Sequence, residues 1–184
     1  MQPQLRRYWS DPISVITGKG IRKLIDEGNL VISPFDKSQI GAGSIDLHLG
    51  REFRVFKPSG KTIEVGDSPD YKSISKLVRL RKGGEITIMP GEFLNGITEE
   101  NIKLPPGCSG RIEGRSRFAR IGLLVHVSSG FVQPGTDGKI VLEIVNLSPF
   151  KMKLKCGTQI CQLIIEEAKG GGAYKGRYYG QKSP

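Results

Sequence analysis

The stretch Gly114–Asn146, GRSRFARIGLLVHVSSGFVQPGTDGKIVLEIVN, decides how this chain reads. Its first residues gather Arg115, Ser116, Arg117 and Arg120 into a short polar segment. An apolar run from Ile121 to Val127 follows, then a turn, then a second apolar run that holds one carboxylate, Glu143. Strand alternation puts Ile140, Leu142 and Ile144 on one face and Val141, Glu143 and Val145 on the other. Glu143 is then flanked on its own face by two β-branched residues. Such a neighbourhood strips water from a carboxylate and favours its protonated form, which suits a group that must both take and give a proton. Guanidinium forks and a hydroxyl suit phosphate oxygens and polar base edges. The plainer alternatives are an edge-strand glutamate facing solvent and arginines that are solvated or paired structurally. Taken together, the pattern asks for a small, charged, phosphorylated substrate.

Length and charge set the bounds. The 184 residues fit one domain with a sizeable core, and the formal net charge of +10 points to an anionic partner. Nucleic acid and a nucleoside triphosphate both satisfy that field. The three cysteines, Cys108, Cys156 and Cys161, have no CxxC spacing, which argues against a disulfide framework and a structural zinc site. His48 and His126 are the only histidines, and no HxE with a PCxxC partner exists, so the zinc-dependent nucleobase deaminase chemistry is excluded. No apolar stretch reaches the ~18–20 residues of a membrane span, and a signal-peptide core is missing, so the chain reads as cytoplasmic.

Outward from the central stretch, short strands recur at roughly ten-residue spacing, punctuated by glycine and proline. Residues 1–13 read as an N-terminal extension and residues 14–167 as the folded domain. Thr17 is placed to cap a short helix with an Ile21, Leu24, Ile25 stripe that Gly28 ends. Strands are expected at Leu30–Ile32, within GAGSIDLHLG (41–50), at Glu52–Phe56, Glu85–Ile88, Phe93–Thr98, Lys151–Leu154 and Ile160–Ile165. Ser59–Arg81 reads as loop. Asp46 reads as a buried turn anchor and His48 as a satisfied surface or interface histidine. The fold class is mainly β, a distorted antiparallel barrel or sandwich with one N-terminal helix. Residues 168–184, AKGGGAYKGRYYGQKSP, hold three consecutive glycines and no acid after Glu167. They read as a flexible basic lid closing over a phosphorylated ligand.

GRSRFARIGL, SGFVQPG and KIVLE, together with GSIDLHLG, PGEFLNGITEENIKLP and YKGRYYGQK, resemble the dCTP deaminase branch of the dUTPase superfamily. The resemblance covers nearly the whole chain after about Thr17. It implies a dUTPase-like jelly-roll barrel, a homotrimer with active sites between subunits, and zinc-free hydrolysis of the cytosine 4-amino group. It also implies magnesium held through the triphosphate, with no protein side chain as metal ligand. Glu143 falls at the family's catalytic acid/base, and Ser116 and Arg120 at positions that orient water and pyrimidine. Arg115, Ser116, Arg117, Phe118, Ala119 and Arg120 overlap the nucleotide-binding segment, and Val141, Leu142 and Glu143 line the pyrimidine. The carbonyl of Ser129 matches one that accepts from the cytosine amino group. Tyr174, Arg177 and Gln181 match tail residues that close on the nucleotide.

Three positions depart from the family pattern. Arg117 stands where a second serine is common, and Ser129 replaces a frequent alanine. Gln133 replaces an aspartate that contacts the deoxyribose 3′-hydroxyl and helps position water, and an amide cannot act as a base. Gly130-Phe131 resembles members that continue to dUMP, whereas Gln133 points to release of dUTP, which is the expected product. A plain dUTPase has no need of Glu143. A noncatalytic nucleotide- or nucleic-acid-binding member of the fold is the rival that the basic tail supports, and the joint presence of Glu143, Ser116 and Arg120 argues against it.

Overall fold

The computed structural model describes residues 14–57, 60 and 62–184; the expected extension over 1–13 lies outside the described residues. Helix α1, Gly18–Asp26, buries Ile21 completely and rests Leu24 and Ile25 on the core. Thr17 takes the N-cap position but makes no side-chain cap bond. Gly28 ends the helix at φ +71°, where a side chain would be strained, and the amides of Asn29 and Leu30 turn back to the Leu24 carbonyl.

The rest is strand and loop, except for a 3-10 turn at Lys37–Gln39 and a one-turn helix α2 at Ser116–Ala119. The strands are β1 (Val31–Ser33), β2 (Ile45–His48), β3 (Glu52–Phe56), β4 (Ser75–Arg79), β5 (Glu85–Ile88) and β6 (Phe93–Lys103). They continue with β7 (Cys108–Gly114), β8 (Leu123–Val125), β9 (Phe131–Val132), β10 (Asp137–Asn146), β11 (Met152–Lys155) and β12 (Gln159–Glu167). Three differ from expectation. Strand β4 lies inside the segment read as loop, β9 lies inside the segment read as a turn, and β7 lies in a stretch whose glycines and charges hide its alternation.

All pairings are antiparallel and form three sheets. One has six strands, in the order β4-β3-β6-β10-β8 with β1 also on β6; a second has the order β2-β12-β7-β9; β11 and β5 form a third. The fold is mainly β, and among the described residues these sheets stay open rather than closing into one hydrogen-bonded ring. The apolar face of β2, Ile45 and Leu47 with Leu49 beyond it, is wholly buried against Cys161, Leu163 and Ile165 of β12 in one common core. Each such side chain contributes about 1.5–3 kcal/mol. The two polar residues of β2 are both engaged. Asp46 pairs with Arg115 at 3.1 Å, and His48 Nδ1 lies 2.6 Å from buried Glu100, whose Oε1 also accepts from Gln39.

The platform for the site is the long β6–β10 ladder, which runs from Asp137 opposite Lys103 to Val145 opposite Phe93. A register shift between Lys139 and Val141 interrupts it, and there the Ile140 amide donates to the Thr98 hydroxyl at 3.0 Å.

Candidate active site

Strand β10 alternates as its sequence predicts: Leu142 and Ile144 are fully buried, while Val141, Glu143 and Val145 face the opposite side half-exposed. The register places Asn95 of β6 opposite Glu143, and Arg54 of β3 opposite Asn95. Directly opposed residues share a face, so arginine, amide and carboxylate stand in a row across three strands.

Over this face lies a cavity of about 580 Å³. The sheets supply Phe56, Phe93, Asn95, Ile140, Val141 and Glu143; the connection around β9 supplies His126, Ser129, Phe131 and Gln133; the tail supplies Tyr174, Tyr178 and Gln181. Ile140 lines the cavity beside Val141 because the bulge breaks the strict alternation.

Glu143 does not sit in the dry pocket that its flanking residues suggest. Its Oε2 accepts from the Ser128 amide at 3.0 Å and from the Ser128 hydroxyl at 2.9 Å. Both bonds fall on one oxygen, which fixes the carboxylate while Oε1 is left for the cavity. The residue before this loop, Val127, is exposed, and His126 before it adopts φ +68°, a conformation that side chains other than glycine seldom take. His126 donates its amide to the Glu143 carbonyl at 2.8 Å, and both its ring nitrogens are enclosed without a partner among the described residues. An enclosed, unpartnered imidazole on the wall of a cavity asks for a polar ligand.

The tail closes the cavity from above by main-chain bonds. The Tyr174 amide donates to the Pro134 carbonyl at 2.8 Å, the Gly180 amide to the Asp137 carbonyl at 2.7 Å, and the Lys139 amide to the Gln181 carbonyl at 2.8 Å. Glycine permits this approach: a Cβ at Gly138 would stand 2.9 Å from the Gln181 nitrogen, and one at Gly135 2.9 Å from Ala173. At the end of the tail the buried Arg54 donates from Nε to the Pro184 carbonyl at 2.6 Å and stacks 5.5 Å from the Tyr71 ring. A smaller cavity of about 230 Å³ adjoins the first, between Tyr71 and Lys72 on one side and Arg177, Tyr178 and Lys182 on the other.

Of the residues singled out in the sequence, Glu143, Val141, Ser129, Gln133, Tyr174 and Gln181 meet in the main cavity, and Arg177 lines the smaller one. Leu142 departs from its expected role, because its side chain belongs to the core and only its backbone can face the site. Phe118 packs against the core as the anchor of α2. Arg115 is committed within the chain, to Asp46 and to the Gln159 side chain at 3.0 Å, which is the structural pairing weighed above. Ser116, Arg117, Ala119 and Arg120 are exposed on α2, outside the lining of this chain's own cavity. Sequence reasoning passed over Asn95, Ser128 and His126. The signals available were a lone amide and a lone imidazole, each inside an apolar run.

The match to known proteins follows the same elements. The model of the dCTP deaminase-like family matches residues 15–168. The chain belongs to the dCTP deaminase-like family. A protein of Methanosphaera stadtmanae named dCTP deaminase, dUMP-forming, is 37% identical over 84% of this chain and 79% of its own. A Corynebacterium kroppenstedtii protein of the same name is 35% identical over 92% of this chain and 94% of its own. Among solved structures, the 2′-deoxycytidine 5′-triphosphate deaminase of Agrobacterium tumefaciens superposes with a TM-score of 0.67 at 17% identity. That likeness concerns the fold, and it spans 86% of this chain but only 49% of the other. For this member of the dCTP deaminase-like family, the matched region includes β6, β10 and α2 but ends at the start of the tail.

Proposed function

We propose that the chain hydrolyses dCTP at cytosine C4, without zinc, and carries the product on to dUMP and pyrophosphate. The observation that carries the deaminase step is Glu143, held by Ser128 with one oxygen free at the floor of a cavity with room for a nucleotide. Water adds its oxygen to C4 as the C4–N3 π pair moves to N3. Glu143 takes a proton from the water and gives it to N3. It next moves the proton of the new hydroxyl to the 4-amino nitrogen, the C4–N bond breaks, and ammonia leaves as the C4 carbonyl forms. His126 and Ser129 line this cavity and would meet the polar edge of the base, and Phe56 and Phe93, with ring centroids 5.1 Å apart, would offer it apolar faces.

Magnesium fits as an ion carried by the substrate. Among the described residues no three His, Cys, Asp or Glu side chains gather into a ligand set, so its oxygens would come from phosphates and water. It would neutralise phosphate charge; Arg177, Lys182 and Lys72 around the smaller cavity would hold the remaining phosphate oxygens. The exposed Ser116, Arg117 and Arg120 have no role in their own chain's cavity, and a neighbouring copy in a homotrimer would supply them to it. Among the described residues no helix is long and apolar enough to cross a membrane, and we propose a cytoplasmic enzyme.

The product is where two observations pull apart. The relatives described above carry the name dUMP-forming, and the family resemblance reads Gly130-Phe131 in the same direction. Gln133 favours the second reading, release of dUTP, because it lines the cavity with an amide where a carboxylate would serve the second water. Incubation with dCTP and magnesium, followed by separation of ammonia, dUTP, dUMP and pyrophosphate, decides both. No ammonia refutes deamination; ammonia with accumulating dUTP refutes the bifunctional reading.

A further inference from the structure

We propose that Asn95 is a direct contact of the attacking water, which it shares with Glu143. The inference rests on the deaminase reading and adds to it a residue of β6. Asn95 and Glu143 are cross-strand partners on one face of the sheet, so their side chains rise side by side into the same cavity. The Asn95 Oδ1 atom is enclosed and accepts no hydrogen bond among the described residues. Its neighbours on that face cannot supply one. Phe93 and Ile97 flank it on β6, and Val141 and Val145 flank Glu143 on β10. Arg54, opposite on β3, is turned away to the Pro184 carbonyl, the Ser75 hydroxyl at 3.2 Å and the Tyr71 ring.

Two acceptors therefore stand together between apolar strand neighbours on the cavity wall: Oδ1 of Asn95 and the Glu143 oxygen that Ser128 leaves open. A water molecule matches this pair. One O–H points to each acceptor, and the lone pair is left on the open side, toward the pyrimidine carbon that Glu143 serves. As the C4–O bond forms, the proton facing Glu143 transfers and the C4–N3 π pair moves to N3. The second O–H stays on the oxygen, still bonded to Asn95, until the hydroxyl gives its proton to the leaving amine. Asn95 itself neither gains nor loses a proton. Its contribution is the direction of the lone pair.

The test uses the full chain, dCTP with magnesium, and two substitutions. Asn95→Leu keeps the size and removes the acceptor. The expected result is a fall of about 30-fold or more in kcat, with KM for dCTP within about threefold and Tm unchanged or raised, because the enclosed oxygen is gone. Asn95→Asp restores an acceptor and adds a charge beside Glu143. It should recover most of kcat and move the acidic limb of the pH–rate profile upward, since a like charge holds the proton on Glu143 longer. A Leu variant with kcat within threefold of wild type overturns the proposal. So does a loss confined to KM, which would make Asn95 a nucleotide contact, or an Asp variant as slow as the Leu variant with an unmoved profile. Absence of ammonia from wild type would instead refute the deaminase reading itself.

Discussion

Replacing Glu143 by glutamine separates geometry from proton transfer at the site. The amide oxygen of the substitute can take both Ser128 bonds, now at 3.0 and 2.9 Å to Oε2, so the side chain stays where the carboxylate stood. Those bonds weaken from charge-assisted to neutral, but Ser128 is exposed, and the loss in folding stability should stay within about 1 kcal/mol. What disappears is the shuttle. Positioned acid–base groups contribute about 10²–10⁴-fold to a step, and here one group serves both the uptake and the return of the proton. The expected loss in kcat is therefore near the upper end, about 10⁴-fold, or about 5 kcal/mol of transition-state stabilisation. Ammonia release reports the rate. Calorimetric titration of the glutamine variant with dCTP and magnesium should return a Kd within about fivefold of the wild-type KM, if chemistry is slow relative to dissociation. Turnover within tenfold of wild type would remove Glu143 from the proton path, whatever the binding result.

Further outcomes follow from the tail, the product branch and the core. Deleting residues from Gly170 onward should raise KM for dCTP at least tenfold and lower kcat while the sheets stay folded, because Tyr174, Tyr178 and Gln181 leave the cavity; unchanged kinetics would reduce the tail to an extension. Arg54→Met removes the donor to the Pro184 carbonyl and should speed protease cleavage within 168–184 severalfold, with nucleotide protecting less than in wild type; equal cleavage would deny Arg54 a role in holding the tail. Wild type should release pyrophosphate in step with ammonia, and Gln133→Asp should leave ammonia release within threefold; dUMP from the Asp variant alone would make residue 133 the limiting group and dUTP the natural product. Burial pushes the Cys161 thiol well above its ordinary range, with Glu100 and Asp46 adding to the effect. The folded form then binds its proton more tightly than the unfolded form, so stability is fully present below about pH 8.5 and falls as pH rises above it. Denaturant unfolding between pH 8 and 10 should show a shallower decline in Cys161→Ala, and an equal slope would assign the alkaline loss to other groups.

What could be read directly from the chain was whatever depends on local period. The stripe of α1 and the alternations of β2 and β10 each bury one face against a continuous core, and a single face leaves its mark in the order of residues. Strand β7 left no such mark, because CSGRIEG meets the core partly with glycine: a Cβ at Gly110 would lie 2.7 Å from the Leu163 side chain, so the neighbour fills the space a side chain would have taken. Strand β4 is half-exposed along its length and carries no stripe.

The site divides along the same line. Glu143 could be singled out because one acid interrupts an apolar strand. Asn95 could not, since its meaning comes from the β6–β10 register, which joins residues far apart in the chain. Nor could His126, whose left-handed conformation is imposed by the turn that carries Ser128 back to the carboxylate. The GRS segment presents the opposite case. Its spacing from Glu143 reads as one motif, yet Arg115 is tied to Asp46 and α2 turns Ser116 and Arg120 outward, away from the cavity that Glu143 floors. Under the proposed homotrimer this separation has a physical sense. The acid and the cationic segment would belong to complementary faces of every copy, so that each site is completed only where two copies meet.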